Sequence, residues 1–174
     1  FKREMKKQSW SFFVTYMAKH FGKDTTVMRM IEKKLTETQL QAEILTTLRK
    51  LKIGFFWRNN NVGIYDRNMG AYRKPSKLFC MKGISDILGV IKDKNGCGIF
   101  VSIEVKTPIS YKHVLIVQQK VLTVGDLKLF KPQSKAEHHV YNQILFLSEI
   151  KKNGGLGFFT YWAEHTLKKL NEIV

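Results

Sequence analysis

The sequence predicts an α/β domain: a small mixed β-sheet flanked by helices. Three observations point there. Helix-periodic stretches, near 36–51 and 136–152, bracket most of the chain. Short runs rich in β-branched and aromatic residues lie between and after them. The alternation of helices with strands calls for layers of helix on sheet. With 174 residues and 44% apolar content, the chain suits one domain with a true core.

Residues 1–22 mix lysines with Trp10, Phe12, Phe13, Tyr16, Met17 and Phe21, the pattern of a basic amphipathic helix. Thr36 and Gln39 form a capping box that opens a helix running to about Leu51. Leu40, Ile44, Leu48 and Leu51 make its apolar stripe, with Glu37 in the middle and Gln41 at the edge. An inward Glu37 wants a partner or a metal; otherwise it serves the helix dipole. Gly54–Arg58 reads as a strand, Asn59–Gly63 as a turn, and 66–82 as a flexible basic loop. Ile84–Ile91 reads as a strand, and Asp93-Lys94-Asn95-Gly96 as a hairpin turn into a second strand, Gly98–Val105. That second strand is apolar on both faces until Glu104, which predicts a central place in the sheet. Tyr111–Val124 has a weak helical pattern, followed by a basic loop. A second clear helix spans about Ala136–Lys152, with Tyr141, Ile144, Leu147 and Ile150 inward. Asn153-Gly154-Gly155 suits its left-handed cap. Leu156–Tyr161 is then a strand and 163–173 a last helix.

The net charge of +16 is far from ordinary and points to a polyanionic partner. Residues 1–35 carry +6, 49–82 carry +8 and 107–135 carry +4, whereas 83–106 sums to zero. A basic surface thus surrounds a segment that is not basic. No apolar run approaches membrane-spanning length, so a membrane partner is not expected. The start, Phe1-Lys2-Arg3-Glu4-Met5, lacks the apolar core of a secretory signal. Cys80 and Cys97 are too few for a disulfide framework and read as free thiols. Together these suit a cytoplasmic or nuclear protein. No Walker loop or dinucleotide fingerprint is present, so no nucleotide cofactor is expected.

The neutral segment holds the chemistry. Asp86 opens one apolar run, and eighteen residues later Glu104-Val105-Lys106 closes the next. A charge in an apolar strand is costly unless it is paired or binds metal. Residues at i and i+2 of a strand share a face, so Glu104 and Lys106 point together, and Asp86 joins them from the neighbouring strand. Two carboxylates and the Val105 carbonyl are oxygen ligands suited to Mg²⁺ or Mn²⁺. Lys106 is placed to orient the attacking water, or to deprotonate it where burial lowers its pKa. A surface ion pair at the strand ends is the structural alternative.

Several segments resemble the PD-(D/E)XK nuclease superfamily, and within it the VRR-NUC group, which is also similar to archaeal Holliday-junction resolvases. They are Glu37-x-x-Leu40-Gln41, Trp57-Arg58-Asn59-Asn60, Gly83-Ile84-Ser85-Asp86, Ile103-Glu104-Val105-Lys106-Thr107-Pro108, and Gln143 through Gly154-Gly155. The resemblance covers about residues 36–162. It implies a restriction-endonuclease-like core and Mg²⁺- or Mn²⁺-dependent hydrolysis of DNA phosphodiesters. It assigns catalytic positions to Asp86, Glu104, Lys106, Glu37 and Gln143. Ser85 stands where the superfamily has proline. On this reading 1–174 is one nuclease domain. It has a basic helical extension (1–35), a core (36–106 and 136–162) and a basic insertion (107–135) carrying Lys112, Lys120, Lys128, Lys131 and Lys135. The insertion is a candidate for DNA binding or homodimer formation.

Arg58, Asn60, Arg67, Arg73, Lys74 and Lys77 are the expected phosphate contacts, because such contact needs only charge and reach. Trp10, Trp57 and Trp162 are large enough to stack on bases, though aromatics beside strands more often fill cores. The five histidines show no ligand spacing, and His165 reads as a surface residue. The expectation is a metal-dependent DNA endonuclease. The alternatives are a junction- or flap-selective nuclease and a non-catalytic DNA-binding module that keeps the fold.

Overall fold

The computed structural model describes residues 35–59, 64–73 and 82–172. Its first helix, α1 (Glu37–Leu51), begins where the sequence says it should. The Thr36 hydroxyl accepts from the Gln39 backbone amide at 3.3 Å, and the Gln39 side-chain Oε1 accepts from the Thr36 backbone amide at 2.9 Å. Leu40, Gln41, Ile44, Leu45 and Leu48 form its buried face.

A four-stranded sheet follows, in the order β1-β4-β5-β6. Strand β1 (Gly54–Arg58) pairs antiparallel with β4 (Ile87–Lys92), which pairs antiparallel with β5 (Gly98–Val105). Strand β6 (Leu156–Thr160) lies parallel to β5 on the far side. The last half of β5 is therefore covered on both faces, and Val101 through Lys106 are all buried. The turn between β4 and β5 closes as expected, with the Asp93 carboxylate accepting from the Asn95 and Cys97 amides at 2.9 and 2.7 Å.

Two segments differ from the sequence reading. The basic stretch after residue 63 is not all loop. Strands β2 (Ile64–Asp66) and β3 (Ala71–Arg73) form a separate antiparallel hairpin. Their three-residue length carries too little apolar periodicity to be read from sequence. Strand β4 begins at Ile87, so Asp86 stands just before it rather than within it. The weak helical pattern of Tyr111–Val124 does form a helix, α2 (Pro108–Val124), which starts three residues earlier, and the basic loop after it includes a short 3₁₀ turn (Leu127–Leu129). Apolar residues lie on both faces of α2, which blurs its period: Val114, Val117 and Val121 are buried, while Leu115, Ile116 and Leu122 are exposed.

Helix α2 is part of the core rather than an appendage. Val114, Val117, Val121 and Phe130 pack with Val140 and Leu147 of α3 (Lys135–Lys152) and Phe159 of β6. Burying each such valine contributes about 1.5 kcal/mol. Lys120 of this segment is bound to Glu137 of α3. A last helix, α4 (Ala163–Asn171), ends the described fold. His165 is half-buried rather than fully on the surface. Its ring stacks on Tyr161 at 4.9 Å, and its Nδ1 lies 3.0 Å from the Thr160 hydroxyl. Trp162 beside it is buried, whereas Trp57 on edge strand β1 is partly open. Among the described residues, no helix is long and apolar enough to cross a membrane. The expected basic helix within residues 1–22, together with Trp10, Asn60, Lys74, Lys77 and Cys80, lies outside the described residues.

Candidate active site

The register of the sheet assembles the site. Ile87 pairs with Ile103, so the next residue outward on each strand brings Asp86 opposite Glu104. The Val105 amide donates to Asp86 Oδ2 at 2.9 Å, fixing that carboxylate against the end of β5. The backbone before Asp86 is also pinned. The Asn59 amide donates to the Asp86 carbonyl at 2.7 Å, and its side chain donates to the Ser85 carbonyl at 3.1 Å. The buried Ser85 and Ser102 hydroxyls are bonded at 2.8 Å. The Ser85 hydroxyl thus ties this loop to β5.

Gly83 explains how close this loop comes to α3. It sits at φ +78°, and a Cβ there would collide with the Asn142 carbonyl and the Gln143 amide. Only glycine allows both the left-handed backbone and the contact. The same contact brings the Asp86 loop against the helix that carries Gln143.

Just past β5, the Lys106 amide donates to the Thr160 carbonyl at 2.8 Å, extending the pairing with β6 by one residue. Thr107 then caps α2, with Pro108 in its first turn. Lys106 is thereby held at a rigid strand-to-helix joint. Its ammonium donates to Glu104 Oε1 at 2.7 Å, and both side chains are buried. The Gln143 amide also donates to Glu104 Oε1.

The other side of the carboxylate is bare. Glu104 Oε2, Gln143 Oε1 and Gln41 Oε1 are buried oxygens with no hydrogen-bond donor. An unsatisfied buried acceptor costs about 1–3 kcal/mol, and a cation ligated by such oxygens would offset that cost. Carboxylate and amide oxygens are the donor types that suit a hard divalent ion. Burial pushes the Glu104 carboxyl up to about 8, with Asp86 and Glu37 adding to the rise against the opposing pull of Lys106.

Lys106 departs from one sequence expectation. Burial alone would draw its ammonium toward neutrality. The Glu104 charge and hydrogen bond, with Glu37 and Asp86 behind them, outweigh that, and its pKa rises. As it stands Lys106 is a fixed cation and not a base.

Glu37 is half-buried on the first turn of α1, near enough for its charge to raise the pKa of both Glu104 and Lys106. Gln41 lies one turn further along the same helix. Among the described residues, no three His, Cys, Asp or Glu side chains lie together as a metal-binding group. Glu37 thus stays beside the Asp86–Glu104 pair and does not complete a triad with it. Sequence reasoning passed over His139. Its Nε2 lies 3.2 Å from the Gln143 amide nitrogen, one helical turn away. The four-residue spacing to Gln143 was its only signal.

The expected phosphate contacts are less gathered. Arg58 is exposed at the end of β1, paired with Ile87 and so one residue from the Asp86 position. Arg67 is exposed in the turn of the β2–β3 hairpin. Arg73 ends β3, with its side chain outside the described residues. No family model, curated protein or solved structure matches the chain.

Proposed function

We propose that this chain is a metal-dependent DNA endonuclease of the PD-(D/E)XK kind, similar to the VRR-NUC group, hydrolysing phosphodiester bonds. One observation carries the reading. A buried glutamate beside an aspartate has one oxygen neutralised by a lysine and the other left without a partner. A structural ion pair would satisfy both oxygens or face solvent.

Asp86, Glu104 and the Val105 carbonyl would hold Mg²⁺ or Mn²⁺. The bound ion would supply positive charge to the scissile phosphate and acidity to a water. Asp86 is oriented for this by the Val105 amide, which occupies Oδ2. Gln143 holds Glu104 through Oε1, and His139 Nε2 lies 3.2 Å from the same amide nitrogen. Lys106 keeps its proton, holds the attacking water by donating to it, and offsets charge gathering on the phosphate. Basic side chains such as Arg58 and Arg67 grip the backbone, which makes binding steeply salt-dependent.

Nicking of supercoiled plasmid tests this. Wild type should nick with Mg²⁺ or Mn²⁺ and stop with chelator. Lys106→Ala should lose at least a hundredfold in rate while still binding DNA. A wild type that binds DNA but cuts no form of it would leave the non-catalytic binding module as the answer.

A further inference from the structure

The β2–β3 hairpin is separate from the main sheet, and two strands of three residues form a marginal unit in water. Even so it displays large rings to solvent. Tyr65 and Tyr72 are directly paired across the two strands, 52% and 66% exposed. Their ring centroids lie 5.3 Å apart at 66°, an edge-to-face contact. Such a contact explains why the two rings touch, since cross-strand aromatic pairs stabilise hairpins. It does not explain why the rings are left open. In an edge-to-face pair one ring offers only its rim to its neighbour, so its own faces remain available.

The electrostatic setting says what would cover them. The hairpin residues, 64–73, carry Arg67 and Arg73 against Asp66, a net of +1, within a sequence segment, 49–82, that sums to +8. Arg67 stands exposed in its turn, between the two tyrosines in sequence. A purely apolar protein partner would have to desolvate that charge. A nucleic acid strand satisfies both features, with phosphates for the arginine and base faces for the rings. Paired bases in a duplex hide their faces in the stack, and only unpaired ones offer them.

We infer that Tyr65 and Tyr72 form a stacking platform for unpaired bases of DNA, with Arg67 holding the adjoining phosphate. This rests on the nuclease reading for its choice of DNA, and it adds a second contact area with its own selectivity. The platform favours substrates with a few unstacked nucleotides over continuous duplex.

The test is binding of a fluorescent oligothymidylate and of a blunt duplex of equal length, both in chelator so that nothing is cut. Replacing Tyr65 and Tyr72 together by Leu keeps bulk and apolarity but removes the aromatic face. That variant should bind the single strand about tenfold or more weaker, with duplex binding changed less than threefold. Replacing both by Phe should preserve single-strand binding. Arg67→Ala should lower the single-strand salt slope by about 0.7. Leucine variants that bind the single strand as tightly as wild type overturn the platform. So does an equal loss on duplex, which would mark a general structural effect.

Parallel plasmid nicking with Mn²⁺ separates the two proposals. If nicking persists while stacking fails, only the platform falls. If the leucine variant loses single-strand binding but wild type never nicks, only the nuclease reading falls.

Discussion

Glu104→Gln, compared with wild type across pH in chelator, tests the electrostatics of the site directly. Burial and the neighbouring carboxylates lift the Glu104 pKa from 4.5 to about 8. Because the folded pKa lies above the unfolded one, this group's contribution to stability is fully present below about 4.5. It is lost as pH rises toward 8. Between pH 5 and 7.5 the loss integrates to about 3 kcal/mol at 1.36 kcal/mol per unit. That is a large share of the roughly 5–15 kcal/mol typical of a domain. Glutamine does not titrate, so the stability of wild type relative to Glu104→Gln should fall by about that amount over this interval. Urea midpoints at constant m-value give the difference.

A divalent ion should reverse the trend. It takes the place of the Glu104 proton, so its apparent affinity should climb about tenfold per pH unit between pH 6 and 7.5. Wild type with saturating Mn²⁺ should then gain more stability at pH 7.5 than at pH 6. Glu104→Gln should gain little at either. If the difference between wild type and variant stays flat from pH 5 to 7.5 in chelator, Glu104 is not the buried, under-neutralised carboxylate described here.

Two further outcomes follow from the frame around the site. Burial, with Lys169 and Lys168 behind it, holds the His165 pKa down at about 4, below its ordinary 6.5. A depressed pKa gives stability present above pH 6.5 and lost as pH falls toward 4. The ring is partly exposed, so solvent screening reduces the effect to about 1–2 kcal/mol. His165→Gln should flatten the urea-midpoint profile over that interval, and an unchanged slope would contradict it. Gly83→Ala forces a Cβ into the backbone of α3, whereas Gly96→Ala meets nothing within 4 Å. Both carry the left-handed strain of about 1 kcal/mol. Only Gly83→Ala should lose more than that in unfolding experiments and also depress plasmid nicking. Equal effects of the two would mean that the contact with α3 does not matter.

Much of the fold was legible because local chemistry agreed with tertiary need. The capping box at Thr36, the Asp93–Gly96 turn and the long apolar run of β5 each declared an element, and each formed. The helix at 108–124 showed only as a weak pattern from Tyr111, because Ile109, Leu115, Ile116 and Leu122 add apolar residues on its outer face. The β2–β3 hairpin was obscured by brevity. Within the site, Asp86, Glu104 and Lys106 stood out because charges at the ends of apolar runs are rare. The Lys106 protonation state was not legible, because it depends on the summed fields of Glu104, Glu37 and Asp86, which only the fold brings together. His139 was hidden for a similar reason, since its importance lies in reaching one particular amide.

The placement of Lys106 bears on why a protein would tolerate such a site. A buried ion pair with well-made hydrogen bonds is at best neutral for stability, and this one also leaves Glu104 Oε2 and the adjoining Gln143 Oε1 bare. A sequence selected for stability alone would fill the space with apolar side chains, as it does at Ile103 and Val105 on the opposite face. Here the surrounding structure spends order on keeping the polar groups fixed: the serine pair, the Asn59 clamp, the extra bond to β6 and the glycine contact with α3. Four such ties hold a costly arrangement in one geometry, and under the proposed function that cost would be recovered when the ligand binds. On the proposed reading that ligand would be a divalent cation together with a phosphate, since the site pairs two acidic side chains with one fixed ammonium inside a strongly basic chain.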